Sequence, residues 1–171
     1  MQLYVASSIG RGRTELGAFD AALAGAGAHN FNLIRLSSVV PPDSEVTRVA
    51  KLPPECLGEW GDRLYVVYAE QRTSAPGTQV WAGVGWVQDP VTRRGLFVEH
   101  EGHSEDAVRD LIEGSLTDLQ ATRNLDLGPA QTCVIGGTCA GSPLCALVVV
   151  AFGAEPWSGI GSAVAAHPGL E

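Results

Sequence analysis

The sequence predicts a single sheet-rich α+β domain, and three observations carry that reading. Short apolar stretches recur along the chain with turn signals between them, as strands do. Only two segments, one early and one late, repeat apolar residues at helical spacing. No internal repeat or linker divides the 171 residues, a length that one hydrophobic core serves. Strands in that number with two helices favour a layered arrangement.

Residues 3–6 read as a first strand, and the Gly/Arg-rich SSIGRGR that follows reads as a loop through Arg13. Thr14 can cap a helix with apolar positions Leu16, Phe19 and Leu23, which Gly25 and Gly27 would end. Residues 30–40 form an apolar strand that stops at Pro41-Pro42, because proline cannot donate to a ladder. Residues 43–62 read as an irregular excursion. Three strands follow at 64–69, 80–87 and 95–101, separated by turn signals such as APG and QDP. Ser104 caps the second helix. Glu105 and Asp106 suit the positive end of its dipole, and Val108, Leu111, Ile112, Leu116 and Leu119 form its apolar stripe. Strands at 132–136 and 144–152 complete the domain, and residues 158–171 read as a disordered tail.

Composition narrows the function classes. The formal net charge of -8 argues against a nucleic-acid partner, and no apolar run approaches the roughly 20 residues of a membrane span. The N-terminus lacks a basic segment followed by a long apolar core, so a cytoplasmic protein is expected. Cys56, Cys133, Cys139 and Cys145 lack zinc-site spacing and read as small buried thiols of a reducing compartment. His29, His100, His103 and His167 form no ligand motif; a site of His100, His103 and Glu101 is the weaker reading beside surface loops, and no metal is expected. GxGxxG, P-loop and GxSxG motifs are absent.

Two carboxylates and a serine pair break the apolar patterns. Asp20 sits on or beside the face defined by Leu16 and Leu23, either as a rim residue in water or as a carboxylate aimed into a pocket. On a strand, Phe97, Glu99 and Glu101 share one side, which makes Glu99 either an enclosed acid able to donate a proton or a solvated edge residue. Ser37-Ser38 interrupts LIRLSSVVPP. The identical dipeptide Ser7-Ser8, read as part of a loop, serves as its control.

AFDAAL (18–23), NFNLIRLSSVVPP (30–42), KLP (51–53) and GLFVEHEG (95–102) together resemble the pyruvoyl-dependent arginine decarboxylases. The resemblance runs over about residues 3–157, and the spacing of NLIR-x-SS-x-x-PP is its most specific part. It implies a single-domain four-layer αββα sandwich spanning 1–157, assembled as a homotrimer with sites between subunits. It also implies that the chain cuts itself between Ser37 and Ser38 into segments 1–37 and 38–171. The Ser38 hydroxyl would attack the Ser37 carbonyl, and elimination and hydrolysis would turn Ser38 into a covalent pyruvoyl group. That group would replace pyridoxal phosphate as the electron sink for decarboxylation. By the same resemblance Glu99 is the proton donor, Asp20 meets the guanidinium of the substrate arginine, and Asn32 orients the scissile peptide or the bound substrate. The products would be agmatine and CO2. Glu99→Gln is then expected to process normally and lose turnover.

The segment 9–13 and the surroundings of His29 match the family less closely, and Arg11 and Arg13 lie near enough in sequence to neutralise Asp20. Two alternatives follow: the same chemistry on another amino acid, or an unprocessed, non-catalytic relative that binds a cationic metabolite.

Overall fold

The computed structural model describes residues 1–157, which run β1 (Gln2–Arg11), α1 (Glu15–Ala26), β2 (Asn32–Arg35), β3 (Val39–Val40), β4 (Glu45–Arg48), β5 (Arg63–Thr73), β6 (Gln79–Gln88), β7 (Gly95–Gly102), α2 (Glu105–Arg123), β8 (Gln131–Thr138) and β9 (Leu144–Glu155). One sheet has the order β2-β5-β9-β1-β4 and the other β3-β7-β6-β8. The expected tail at 158–171 lies outside the described residues.

Three apolar interfaces stack these elements into four layers. Between the sheets, Leu3, Val5, Val67 and Val148 meet Val84, Trp86 and Phe97. On the outer side of the five-stranded sheet, Ala18, Ala22 and Ala26 of α1 cover Ala6, Leu64, Val66 and Leu147. Outside the four-stranded sheet, Val108, Ile112 and Leu116 of α2 cover Val87, Leu96 and Val98. The result is helix, sheet, sheet, helix. The long apolar run of β9 is explained by this stacking: alternate residues of one strand face α1 and the second sheet, so both faces are buried.

Small residues set the layer spacing. A Cβ on Gly10 would lie 2.0 Å from the Ala18 carbonyl oxygen and 2.3 Å from the Ala22 nitrogen. Both are helix backbone, which cannot swing aside. Gly10→Ala is therefore expected to lower stability by about 1–3 kcal/mol or more, read as a shift in urea midpoint at unchanged slope.

Several expectations are corrected by the fold. Strand β1 continues through Arg11 beside β9, with Ser7 opposite Val148 and Ser8 opposite Leu147, so Ser7-Ser8 lies in a paired strand and not a loop. In α1 the Thr14 cap holds, accepting from the Gly17 amide at 3.0 Å. However, the helix passes Gly25 and closes on Gly27 at φ 91°. Leu16, placed in its apolar stripe, is 69% exposed, because the alanines of α1 make the close approach instead. Leu111 of α2 is likewise exposed. The expected strand at 30–40 is two strands in different sheets. The excursion at 43–62 contains β4, which pairs in parallel with β1, and one turn of 3-10 helix at Pro54–Cys56.

All four cysteines are free; Cys139 and Cys145 are buried, Cys56 and Cys133 half-buried. Burial, reinforced by the Glu70 carboxylate, pushes the Cys145 thiol up to about 12. At pH 8 it stays protonated and therefore poorly nucleophilic. Iodoacetamide is expected to leave Cys145 unmodified in the native protein and to label it after denaturation, as read by peptide mass mapping.

Candidate active site

The serine pair sits where the chain crosses from one sheet to the other. Strand β2 runs along the edge of the five-stranded sheet, parallel to β5, and its last contact is the Leu36 amide donating to the Val66 carbonyl at 2.9 Å. Strand β3 then begins on the edge of the four-stranded sheet, with Val39 opposite Leu96 and Val40 opposite Gly95. Pro41-Pro42 ends it after two residues, having no amide to offer the ladder. Ser37 and Ser38 span the gap. Ser37 is exposed and Ser38 half-buried.

Ser38 carries an uncommon backbone conformation. Its φ is 68°, in the left-handed region that L-residues avoid. It is held there on two sides: its carbonyl accepts from the Phe97 amide at 2.8 Å, and its hydroxyl donates to Glu99 Oε1. The conformation has a chemical consequence. At negative φ typical of helices, Cβ of an L-residue points away from the preceding carbonyl carbon. At φ 68° it swings to the same side, so Oγ can close on the Ser37 carbonyl carbon in a small ring. Ser8 lacks that rotation, since positive φ among non-glycine residues is confined to Ser38, Asp43, Arg93 and Asn124 among the described residues. Two identical dipeptides thus differ in a backbone torsion that brings Oγ toward the preceding carbonyl.

Glu99 reaches Ser38 because β7 is only partly covered. Pairing with β3 ends at Leu96, so beyond it the outer edge of β7 faces the serine segment instead of another strand. Phe97 points between the sheets, and Glu99, two residues on, points the same way and is half-buried. Glu101 on that side is exposed. A cleft of about 500 Å³ opens here, lined by Ser37, Ser38, Glu99 and His100, with Ser115, Asp118 and Arg123 from α2. The sequence reading had not singled out these α2 residues. Their signal is the three-residue spacing of Ser115 and Asp118, which puts both on one side of the helix beside the apolar stripe.

Asp20 and Asn32 are placed elsewhere in the same chain. Asp20 is exposed on α1, which packs outside the five-stranded sheet, and it does not line the Ser38 cleft. It forms no ion pair with Arg11 or Arg13. Asn32, also exposed, donates from Nδ2 to the Gly61 carbonyl at 2.5 Å, and Trp157 Nε1 donates to that carbonyl at 2.7 Å. His100 bonds Ser115 and His103 bonds the Gln79 carbonyl. Among the described residues, no group of three or more His, Cys, Asp or Glu side chains is gathered as metal ligands would be. No described helix is long and apolar enough to cross a membrane.

Residues 2–156 match the family described as pyruvoyl-dependent arginine decarboxylase. A protein of that name from Halobacterium salinarum is 36% identical over 154 residues, covering 89% of this chain and 94% of the relative. A second, from Thermococcus kodakarensis, is 29% identical over 153 residues, covering 86% and 91%. A third, from Methanocaldococcus jannaschii, is 36% identical over 109 residues, covering 60% and 62%. With its serine pair at the sheet crossing and an acid on the second hydroxyl, the chain belongs to the pyruvoyl-dependent arginine decarboxylase family.

Proposed function

We propose that this chain cuts itself between Ser37 and Ser38 and, once cut, decarboxylates L-arginine to agmatine and CO2. The observation that carries the reading is Ser38 itself, held at φ 68° with its hydroxyl on Glu99. A serine hydroxyl is a weak nucleophile toward an amide, and holding it near the carbonyl with a base attached addresses both deficits. Glu99 takes the hydroxyl proton as Oγ bonds to the Ser37 carbonyl carbon. The Ser37–Ser38 C–N bond then breaks, and the proton passes to the Ser38 nitrogen, leaving an ester. Loss of the Ser38 Cα proton expels the Ser37 carboxylate and with it segment 1–37. Water then converts the dehydroalanine left at position 38 to a pyruvoyl end, releasing ammonia.

Residue 38 is suited to hold that group, since it is half-buried at the wall of the cleft beside an acid. The pyruvoyl carbonyl supplies the electron sink into which the C–CO2 bond can break. Glu99, on the same wall, is placed to return a proton to the substrate carbon after CO2 leaves. Asp118 and Arg123 supply polar groups for an amino-acid substrate.

Asp20 is proposed as the carboxylate that meets the guanidinium, in a fork-to-fork pairing, and Asn32 as a residue orienting the bound substrate. Their separation from the Ser38 cleft of their own chain supports sites shared between subunits of a trimer, with α1 of one copy facing the cleft of the next. Free cysteines support a reducing, cytoplasmic setting.

Intact-mass spectrometry tests the proposal. Two species, segment 1–37 and a larger segment without a free N-terminal amine, are expected; one uncut chain after long incubation overturns it. For the substrate assignment, Asp20→Asn is expected to raise the KM for arginine at least tenfold, about 1.4 kcal/mol of lost binding, while leaving the cut intact. Labelled CO2 release measures it, and unchanged arginine kinetics would remove Asp20 from the site.

A further inference from the structure

We infer that His100 and Ser115 form a positioning pair that holds Glu99 against Ser38. The inference rests on the roles proposed above for Ser38 and Glu99.

Glu99 stands on a stretch of β7 that is laddered on one edge only. On the outer edge, the β3 ladder has stopped at Leu96, and the remaining bond there is the Phe97 amide to the Ser38 carbonyl. On the inner edge, β6 supplies the ladder, with Val84 opposite Glu99 and Gly83 opposite His100. Glycine offers His100 no side chain to pack against across the strands. The ring is instead fixed from the helix layer: His100 Nε2 and Ser115 Oγ share a hydrogen bond at 2.8 Å. His100 is half-buried and Ser115 half-buried, so water competes for this bond only in part.

Ser115 is a firm anchor. It precedes Leu116, which is 1% exposed, and Val108 and Ile112 are wholly buried on the same helix. Those side chains fill the space that glycines leave on β6: a Cβ at Gly85 would fall 2.1 Å from Ile112 Cγ2, and one at Gly83 would fall 2.7 Å from Val108 Cγ1. The close approach of α2 is what brings Ser115 within reach of His100. Adjacent residues of a strand point to opposite faces. A ring pinned on the α2 side therefore fixes the height and twist of the backbone from which Glu99 projects on the other side. His100 here acts through Glu99 and not on the substrate.

The test compares His100→Gln, His100→Met, Ser115→Ala and the double variant His100→Met/Ser115→Ala with the full-length protein. Glutamine keeps a nitrogen and an oxygen at the reach of Nε2, whereas methionine keeps bulk without the hydrogen bond. Two readouts are followed: the rate of the cut by intact mass, and labelled CO2 release per mole of pyruvoyl-bearing chain. His100→Met and Ser115→Ala are each expected to slow the cut and lower kcat by about tenfold or more, with KM within about twofold of wild type. Because the two side chains act as one unit, the double variant is expected to lose no more than either single one. His100→Gln is expected to recover most of both rates.

Full rates in both His100→Met and Ser115→Ala overturn the inference, as does equal loss in His100→Gln and His100→Met, which would indicate packing alone. A raised KM at unchanged kcat would make His100 a substrate contact and overturn it as well. If His100→Met fails to fold, Ser115→Ala, a smaller truncation, decides by the same criteria. Wild-type protein that never cuts would remove the underlying reading instead, so the two failures are distinguishable.

Discussion

Ser38→Ala is expected to leave the chain whole, with no fragment 1–37 at any incubation time by intact-mass spectrometry. Alanine keeps the backbone and Cβ but has no oxygen to bond the Ser37 carbonyl, so the first step has no nucleophile. Appearance of the fragment in this variant would rule out Ser38 as the attacking group. Ser8→Ala is the matched control and is expected to cut at the wild-type rate, because Ser8 sits in a regular ladder opposite Leu147. Ser38→Gly separates chemistry from strain. It too should stay whole, yet glycine occupies the left-handed region without the Cβ penalty. Its stability is expected to exceed that of Ser38→Ala by about 1 kcal/mol, measured as a difference in urea midpoint. Equal stabilities would show that the φ of 68° at Ser38 is not stored strain.

Glu99→Gln carries the second large effect. The Gln amide can still accept a hydrogen bond from Ser38, but it cannot take the proton. Loss of a positioned acid–base group costs about 10²–10⁴-fold, and the cut is expected to slow by an amount in that range. The sequence had tied Glu99 to turnover alone and expected normal processing in this variant. Under the mechanism proposed above, Glu99 would serve the cut as well, since its carboxylate accepts a hydrogen bond from the Ser38 hydroxyl. The fraction of Glu99→Gln that does mature is expected to release labelled CO2 with a comparably lowered kcat and little change in KM. Wild-type rates in both assays would remove Glu99 from the chemistry; a normal cut with lost turnover would confine it to the second step.

How far the sequence reached depends on whether the signal was local. Caps were legible because they are set by a few adjacent residues: Thr14 and Ser104 begin α1 and α2 as read, each accepting a first-turn amide. The side of β7 on which Glu99 lies was legible from strict alternation. The face of α1 was misread, because Leu16 has the larger apolar side chain but the sheet admits only small ones beneath Gly10. SSIGR was misread for a related reason: glycine and serine resemble a loop in composition, while here they let a helix lie close against a strand.

Read from sequence alone, the chain shows a layered α+β domain and, through LIRLSSVVPP, AFDAAL and GLFVEHEG, a resemblance to its family. Those are matters of residue identity, spacing and order along the chain. The sequence was silent on the step from one sheet to the other at Ser37-Ser38, on the left-handed turn at Ser38, and on the pairing of His100 with Ser115. Each of these depends on atoms 15 to 61 residues apart in sequence or on a torsion fixed by them. Only tertiary packing could decide them, because the energy that holds Ser38 in an unfavourable φ comes from Phe97 and Glu99 on another strand and not from its neighbours in the chain.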